Sequence, residues 1–71
     1  MRTRDEHLAW AKQRALEYLN AGDLVNAVTS MGSDLNKHPE AGCNDYLLMT
    51  GGMYATNGDR AAVRRWIEGF R

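Results

Sequence analysis

Residues 18–24 read YLNAGDL, and residues 54–60, which lie 36 positions later, read YATNGDR. Each segment ends a run of apolar residues at helical spacing and contains a glycine followed by an aspartate. Glycine can adopt the left-handed backbone conformation that ends a helix, and aspartate can accept hydrogen bonds from the first N–H groups of the next helix. The two segments therefore predict the turns of two helical hairpins.

Capping signals outside these turns set the limits of four predicted helices. Thr3 and Glu6 form the pattern of a capping box at the start of the first helix. The second helix is predicted to stop at His38, because Pro39 disfavours helical geometry in the residue before it. We expect a third helix over 45–56, capped by Asn44, and a fourth helix over about 60–69.

No segment alternates between apolar and polar residues, so the sequence predicts no strand. The expected architecture is all-α, with four short helices forming two antiparallel hairpins in a single domain over 1–71. Hairpin one covers about 4–38, a linker covers 39–43, and hairpin two covers about 44–70.

The third predicted helix contains Gly51 and Gly52 near its middle. Two interior glycines cost about 2 kcal/mol of helix propensity relative to alanine. Such a pair is tolerated where a neighbouring backbone approaches closely, and we expect that role here.

The pattern of residues resembles the tetratricopeptide repeat, whose unit is a pair of antiparallel helices. The first hairpin carries that family's small residues, tyrosine, turn and closing proline at Ala15, Tyr18, Gly22-Asp23, Ala27 and Pro39. The second hairpin matches at Gly51, Tyr54 and Gly58-Asp59, while Asp34 and Phe70 stand where the family usually has alanine. The resemblance implies hairpins that pack in a tetratricopeptide-like manner and act through protein contacts.

A second resemblance concerns the whole chain. The segments 5–12, 22–24, 33–39 and 65–70 are similar to a group of small, uncharacterised proteins encoded by phages of actinobacteria. This similarity implies a phage accessory protein that works inside a bacterial cell, and it implies no catalytic activity.

Composition excludes several functional classes. The formal net charge is zero, with nine basic and nine acidic residues, which argues against a polybasic protein that binds nucleic acid or membranes through bulk charge. A single cysteine allows no internal disulfide, and no apolar run has the length of a membrane span. The polar N-terminal segment lacks the apolar region of a signal peptide, so we expect a cytoplasmic protein.

The residues that could carry chemistry do not form a recognisable catalytic pattern. We interpret His7 and His38 as solvated or helix-capping histidines, and Cys43 as a partly buried or incidental thiol. A reactive Cys43 would need a base within hydrogen-bond reach and a group to orient that base, and no orienting group is evident. The sequence therefore predicts no enzyme activity, no cofactor and no metal site.

The second hairpin has more large apolar residues than a four-helix core of this size can hide. We therefore predict protein–protein interaction, either self-association as a homodimer, binding of a bacterial host protein, or both. The candidate contact residues are Tyr46, Met49, Met53, Arg64, Trp66 and Phe70.

The alternative function is that of a small nucleic-acid-binding regulator. Residues 60–71 contain Arg60, Arg64, Arg65 and Arg71 against the single acidic residue Glu68. A short basic helix with an aromatic neighbour could bind phosphates, although arginines near a helix C-terminus are also favoured by the helix dipole. The solvated or partner-facing role is the preferred interpretation of these arginines.

Overall fold

The computed structural model describes residues 3–38 and 40–71, and within these ranges the fold is all-α, as predicted. The helices are α1 (Arg4–Asn20), α2 (Leu24–Leu35), α3 (Asp45–Thr56) and α4 (Arg60–Glu68). No strand occurs in the described part of the chain. The limits of α3 match the prediction, whereas α2 ends three residues before His38 and α4 ends one residue before Gly69.

Every helix begins at the capping residue that the sequence indicated. The Thr3 hydroxyl accepts the Glu6 N–H at 3.2 Å, and the Thr3 N–H donates to the Glu6 carboxylate at 3.1 Å. The side chains of Asp23, Asn44 and Asp59 each accept a backbone N–H three residues further on. Because these contacts are local, a short stretch of sequence determines where each helix starts.

The two hairpin turns share one geometry. Gly22 and Gly58 have φ angles of 83° and 70°, and they are the residues with positive φ in the described chain. The backbone N–H of Asp23 donates to the Tyr18 carbonyl at 2.9 Å, and that of Asp59 donates to the Tyr54 carbonyl at 3.0 Å. The predicted breaks at both turns are confirmed, and the tyrosine carbonyls have equivalent roles in them.

The core is formed where α2 meets the other three helices. Its largest fully buried apolar side chains are Leu19 from α1, Met31 and Leu35 from α2, and Val63 and Ile67 from α4. Among the described residues α1 contacts α2 and α4 but not α3. The all-α class is thus established, and the tetratricopeptide-like packing of the two hairpins stays a prediction.

The connection between the hairpins is held by side chains of the segment that follows α2. Asn36 accepts the Cys43 N–H through its side-chain oxygen at 3.1 Å, and His38 Nδ1 accepts the Glu40 N–H at 3.0 Å. The predicted effect of Pro39 lies outside the described residues. These two hydrogen bonds fold the connection back on itself, and Asn44 then starts α3 directly after it.

Candidate protein-interaction surface

The position of α3 is set by two close contacts on its inner side. The Trp66 indole of α4 lies against Gly51, where an added Cβ atom would be only 2.6 Å from the ring. The same indole donates its N–H to the Leu47 carbonyl at 2.9 Å. On the other edge of α3, Leu48 packs against Gly32 of α2, whose added Cβ would be 2.8 Å from a Leu48 methyl group.

The expected close approach at the glycine pair is therefore confirmed only in part. The neighbour of Gly51 is the aromatic ring of Trp66 and not a backbone, and Gly52 has no such atom within 4 Å of an added Cβ. The indole and its hydrogen bond take the place of the neighbouring backbone that we expected to approach the glycines. This is possible because a flat ring can lie on a glycine as closely as another helix can.

The outer face of α3 consists of Tyr46, Met49 and Met53, which follow one another at helical spacing. These side chains are 77%, 71% and 62% exposed. The inner side of the helix buries Gly51 and Ala55 instead. The helix thus turns its small residues inward and several of its large apolar residues outward, which is the reverse of an ordinary amphipathic helix in a small domain.

A groove of about 370 Å³ runs between α2 and α3, beside the outer face of α3. Its apolar lining comes from Val25, Val28 and Gly32 on α2 and from Leu48, Gly52 and Ala55 on α3. Val25 is 59% exposed at its rim. The sequence did not predict this groove, although the glycines on the two helices were a signal that small residues would leave space there.

Charge is almost absent from α2 and α3, and Arg65 of α4 borders α3 beside Thr50. Helices α2 and α3 have 12 residues each and together carry two charged side chains, those of Asp34 and Asp45, of the 18 in the chain. Asp34 is buried, and none of the residues lining the groove is charged. Interface cores are depleted in charge in the same way.

The structure divides the predicted contact residues between two environments. Tyr46, Met49 and Met53 lie together on the outer face of α3 and are accessible to a partner. Trp66 and Phe70 are half-buried against the core, with their rings edge to face at 4.9 Å. Trp66 thus supports α3 from beneath through its contacts with Gly51 and Leu47.

Two arginines of α4, Arg60 and Arg64, lie near the end of α1. Arg60 donates to the Asn20 carbonyl and Arg64 to the Asn20 side-chain oxygen, both at 3.5 Å. Arg65 lines a shallow depression with Trp66 and Phe70. Arg64 is therefore placed at the junction of α1 and α4, and not with Tyr46, Met49 and Met53 on the outer face of α3.

A polar cluster lies on the opposite side of α2, around Asp34. This carboxylate is 2% exposed and contacts the Arg14 guanidinium at 2.7 Å, the Lys37 ammonium at 3.1 Å and the Ser30 hydroxyl at 3.3 Å. Burial, the largest single influence, acts to raise the pKa of Asp34. The hydrogen bonds and charges of Arg14 and Lys37 together outweigh it and hold that pKa below its usual value.

Of the two roles predicted for His7 and His38, solvated or helix-capping, the solvated one is wrong. Both are buried, at 6% and 5% exposure, and their rings lie 5.1 Å apart. His7 Nε2 hydrogen-bonds to the backbone oxygen of Asp34. Tertiary packing brings the two histidines together across most of hairpin one, and local sequence cannot reveal such a contact.

The single thiol is buried, in agreement with the first alternative of its interpretation as a partly buried or incidental thiol. Burial, followed by the nearby charge of Asp45, raises the pKa of the Cys43 thiol. A raised pKa reduces the fraction of nucleophilic thiolate at neutral pH. Among the described residues no group of three or more histidine, cysteine, aspartate or glutamate side chains is placed to hold a metal ion.

Comparisons with known proteins identify no relative. No family model, curated protein or solved structure matches the chain. Within the described residues, no helix has both the length and the apolar character needed to cross a membrane.

Proposed function

We propose that this protein acts by protein–protein contact through the outer face of α3 and the adjoining groove between α2 and α3. The observation that carries the proposal is the exposure of Tyr46, Met49 and Met53 on a helix that buries only glycine and alanine. Water contact is unfavourable for such side chains, and contiguous apolar surface of this kind is typical of interaction sites.

The biological setting of this proposal follows from the resemblance to phage-encoded proteins. In this proposal the protein is a small accessory factor in the cytoplasm of a bacterial host. It binds a second copy of itself, a host protein or both. No reaction is part of the proposed function. The uncharged groove and face suit an apolar contact, whereas a phosphate-binding site would need cations that α2 and α3 do not contain.

A site-specific photocrosslinking experiment tests the surface in living cells. A photoreactive phenylalanine analogue replaces Tyr46 in one variant and Gln13, an exposed residue of α1, in the matched control. We expect discrete protein adducts from position 46 and none of comparable yield from position 13. Loss of the position 46 adducts on adding Met53→Glu would tie them to this face.

Equal adduct patterns from both positions, or adducts that survive Met53→Glu, would contradict the proposal. Salt separates it from the nucleic-acid alternative. An apolar contact persists when the salt concentration is raised tenfold, whereas phosphate binding through several arginines weakens steeply.

A further inference from the structure

We propose that the occupant of this surface is a second copy of the same chain, with the two α3 helices antiparallel across a two-fold axis beside Met49 and Thr50. This inference rests on the proposed function, which it deepens by naming the partner. It has three grounds: the distribution of exposed apolar area, the distribution of charge, and the spacing of the outer-face residues.

The exposed apolar area is concentrated where one interface could cover it. Of the seven large apolar residues that the structure exposes, five belong to α3 and one, Val25, to the facing side of α2. Leu47 lies on the α4 side of the helix. The other five side chains offer on the order of 500 Å² to a partner, given that a large side chain carries about 150–250 Å². A standard interface covers about 800 Å² of each partner, so flanking polar residues need to add only a rim.

The distribution of charge favours a copy of this chain over a charged partner. An uncharged face leaves any charged side chain of a partner buried without a counter-charge, which is costly. The same face of a second copy brings only Asp45 at the start of α3 and, at its edge beside Thr50, Arg65 of α4. An antiparallel arrangement places the two Asp45 residues, and the two positive helix ends, at opposite ends of the contact.

The spacing of the outer-face residues is compatible with two-fold symmetry. An axis midway between Tyr46 and Met53 sets Tyr46 of each copy against Met53 of the other, and it sets the two Met49 residues beside each other. Methionine sulfur and aromatic rings make favourable contacts. By helix geometry Met49 lies on the groove side of the outer face, so the Met49 side chain of each copy can enter the groove of the other near Gly52, where no atom fills the space.

The oligomeric state of the purified chain tests the proposal directly. We expect sedimentation equilibrium to show a monomer–dimer equilibrium for the wild type and for Gln13→Glu, with equal dissociation constants. Met53→Glu adds the same charge to the outer face of α3, and it should weaken the dimer at least tenfold while the helical circular dichroism is unchanged. A wild type that remains monomeric at several hundred micromolar overturns the proposal.

Disulfide trapping tests the symmetry axis independently of any loss of stability. Met49→Cys should form a covalent dimer under mild oxidation, whereas Gln13→Cys should not. Cys43, the native thiol, gives little background because it is buried. Gly52→Leu fills the groove and should reduce trapping at position 49 severalfold. Trapping that is no faster at 49 than at 13, in a protein that dimerises, would overturn the proposed axis.

The two proposals can fail separately. Photocrosslinks from position 46 to a different protein, together with a purified chain that stays monomeric, would refute the second copy and leave the contact surface intact. An absence of specific adducts from position 46, in cells where the chain is present at dimerising concentration, would refute both.

Discussion

Helices α2 and α3 have the same length of 12 residues, yet they use their side chains in opposite ways. Helix α2 buries six residues, including Met31 and Leu35, whereas α3 buries only Gly51 and Ala55. Helix α3 has the larger number of large apolar side chains, yet it is the less buried of the two helices. The reason is position, because α2 contacts all three other helices while α3 contacts only α2 and α4.

The difference shows that the composition of a helix does not determine its burial in a domain of this size. Folding of a chain this short hides only about 60% of the surface of its unfolded form, so some helix must remain at the margin. In this fold α3 is that helix, and small inward residues let it sit close to its neighbours while its large residues face outward.

The strongest way to disturb this comparison is Trp66→Ala. The indole holds α3 through its contact with Gly51 and its hydrogen bond to Leu47, and it is partly exposed. We expect the free energy of unfolding to fall by about 3 kcal/mol. This value is at the lower end of the losses seen when a core aromatic residue is replaced by alanine, because the indole is partly exposed. Chemical denaturation followed by circular dichroism measures it. Arg65→Ala, an exposed neighbour, should stay within about 0.5 kcal/mol.

A smaller loss of stability in Trp66→Ala than in Arg65→Ala would show that the faces of α4 are assigned wrongly. Trp66→Phe separates the two contributions of the indole. It retains a ring above Gly51 but removes the hydrogen bond to Leu47, and should cost about 1 kcal/mol.

The second largest loss of stability is expected from a substitution in α2. Asp34→Asn removes the carboxylate that pairs with Arg14 and Lys37, and should cost about 2–3 kcal/mol at pH 7. Both cations are partly exposed and recover water, which limits the loss. Urea denaturation of the two proteins at pH 7 measures the difference.

The same residue predicts a pH dependence. Folding lowers the pKa of Asp34. The contribution of this carboxylate to the free energy of unfolding is therefore present in full above the unfolded pKa of about 3.9, and it is lost as the pH falls through the folded pKa. The stability gap between wild type and Asp34→Asn should therefore shrink below about pH 4. A gap that stays constant from pH 7 to pH 3 would contradict the assigned ion pairs.

The adjacent glycines of α3 give a third test, with opposite signs. Gly51→Ala places a methyl group into the Trp66 ring and should cost about 1–2 kcal/mol through overpacking. Gly52→Ala meets no neighbour and should raise stability by about 0.5–1 kcal/mol, because alanine is the better helix former. Thermal unfolding of the two variants under one set of conditions decides the sign. Equal changes in melting temperature for the two variants would mean that Trp66 does not lie on Gly51.

The smallest expected losses of stability come from substitutions in the two hairpin turns, where the hairpins have the same geometry. Gly22→Ala and Gly58→Ala force alanine into the left-handed region, and each should cost about 1 kcal/mol. We expect the two costs to agree within about 0.5 kcal/mol, as measured by chemical denaturation. A large inequality would show that the shared turn sequence has different energetic roles in the two hairpins.

The sequence predicted the features that depend on near neighbours. Capping side chains act over three residues and glycine turns over five, so the amino-acid order alone indicates the helix starts at Asp23, Asn44 and Asp59. The exposure of Tyr46 and its neighbours on α3 followed from an apolar surplus in the second hairpin.

Features that depend on distant neighbours could not be predicted in this way. The meeting of His7 with His38, and of Gly51 with the Trp66 indole, depends on how the helices pack. Asp34 stood out as an acidic residue beside an apolar stripe, but its pairing with the Arg14 guanidinium needs α1 and α2 in place. The groove between α2 and α3 likewise exists only once both helices are assembled.

The placement of the two tryptophans gives each hairpin its own optical reporter. Trp10 of hairpin one lies 5.3 Å from the His7 ring and 5.1 Å from the Arg14 guanidinium, whereas Trp66 of hairpin two lies on a glycine. The two indoles thus have different neighbours, so their emission responds to different events. Exchanging one of them for phenylalanine leaves a fluorescence signal from a single hairpin, which resolves whether the halves of the molecule open together or in sequence.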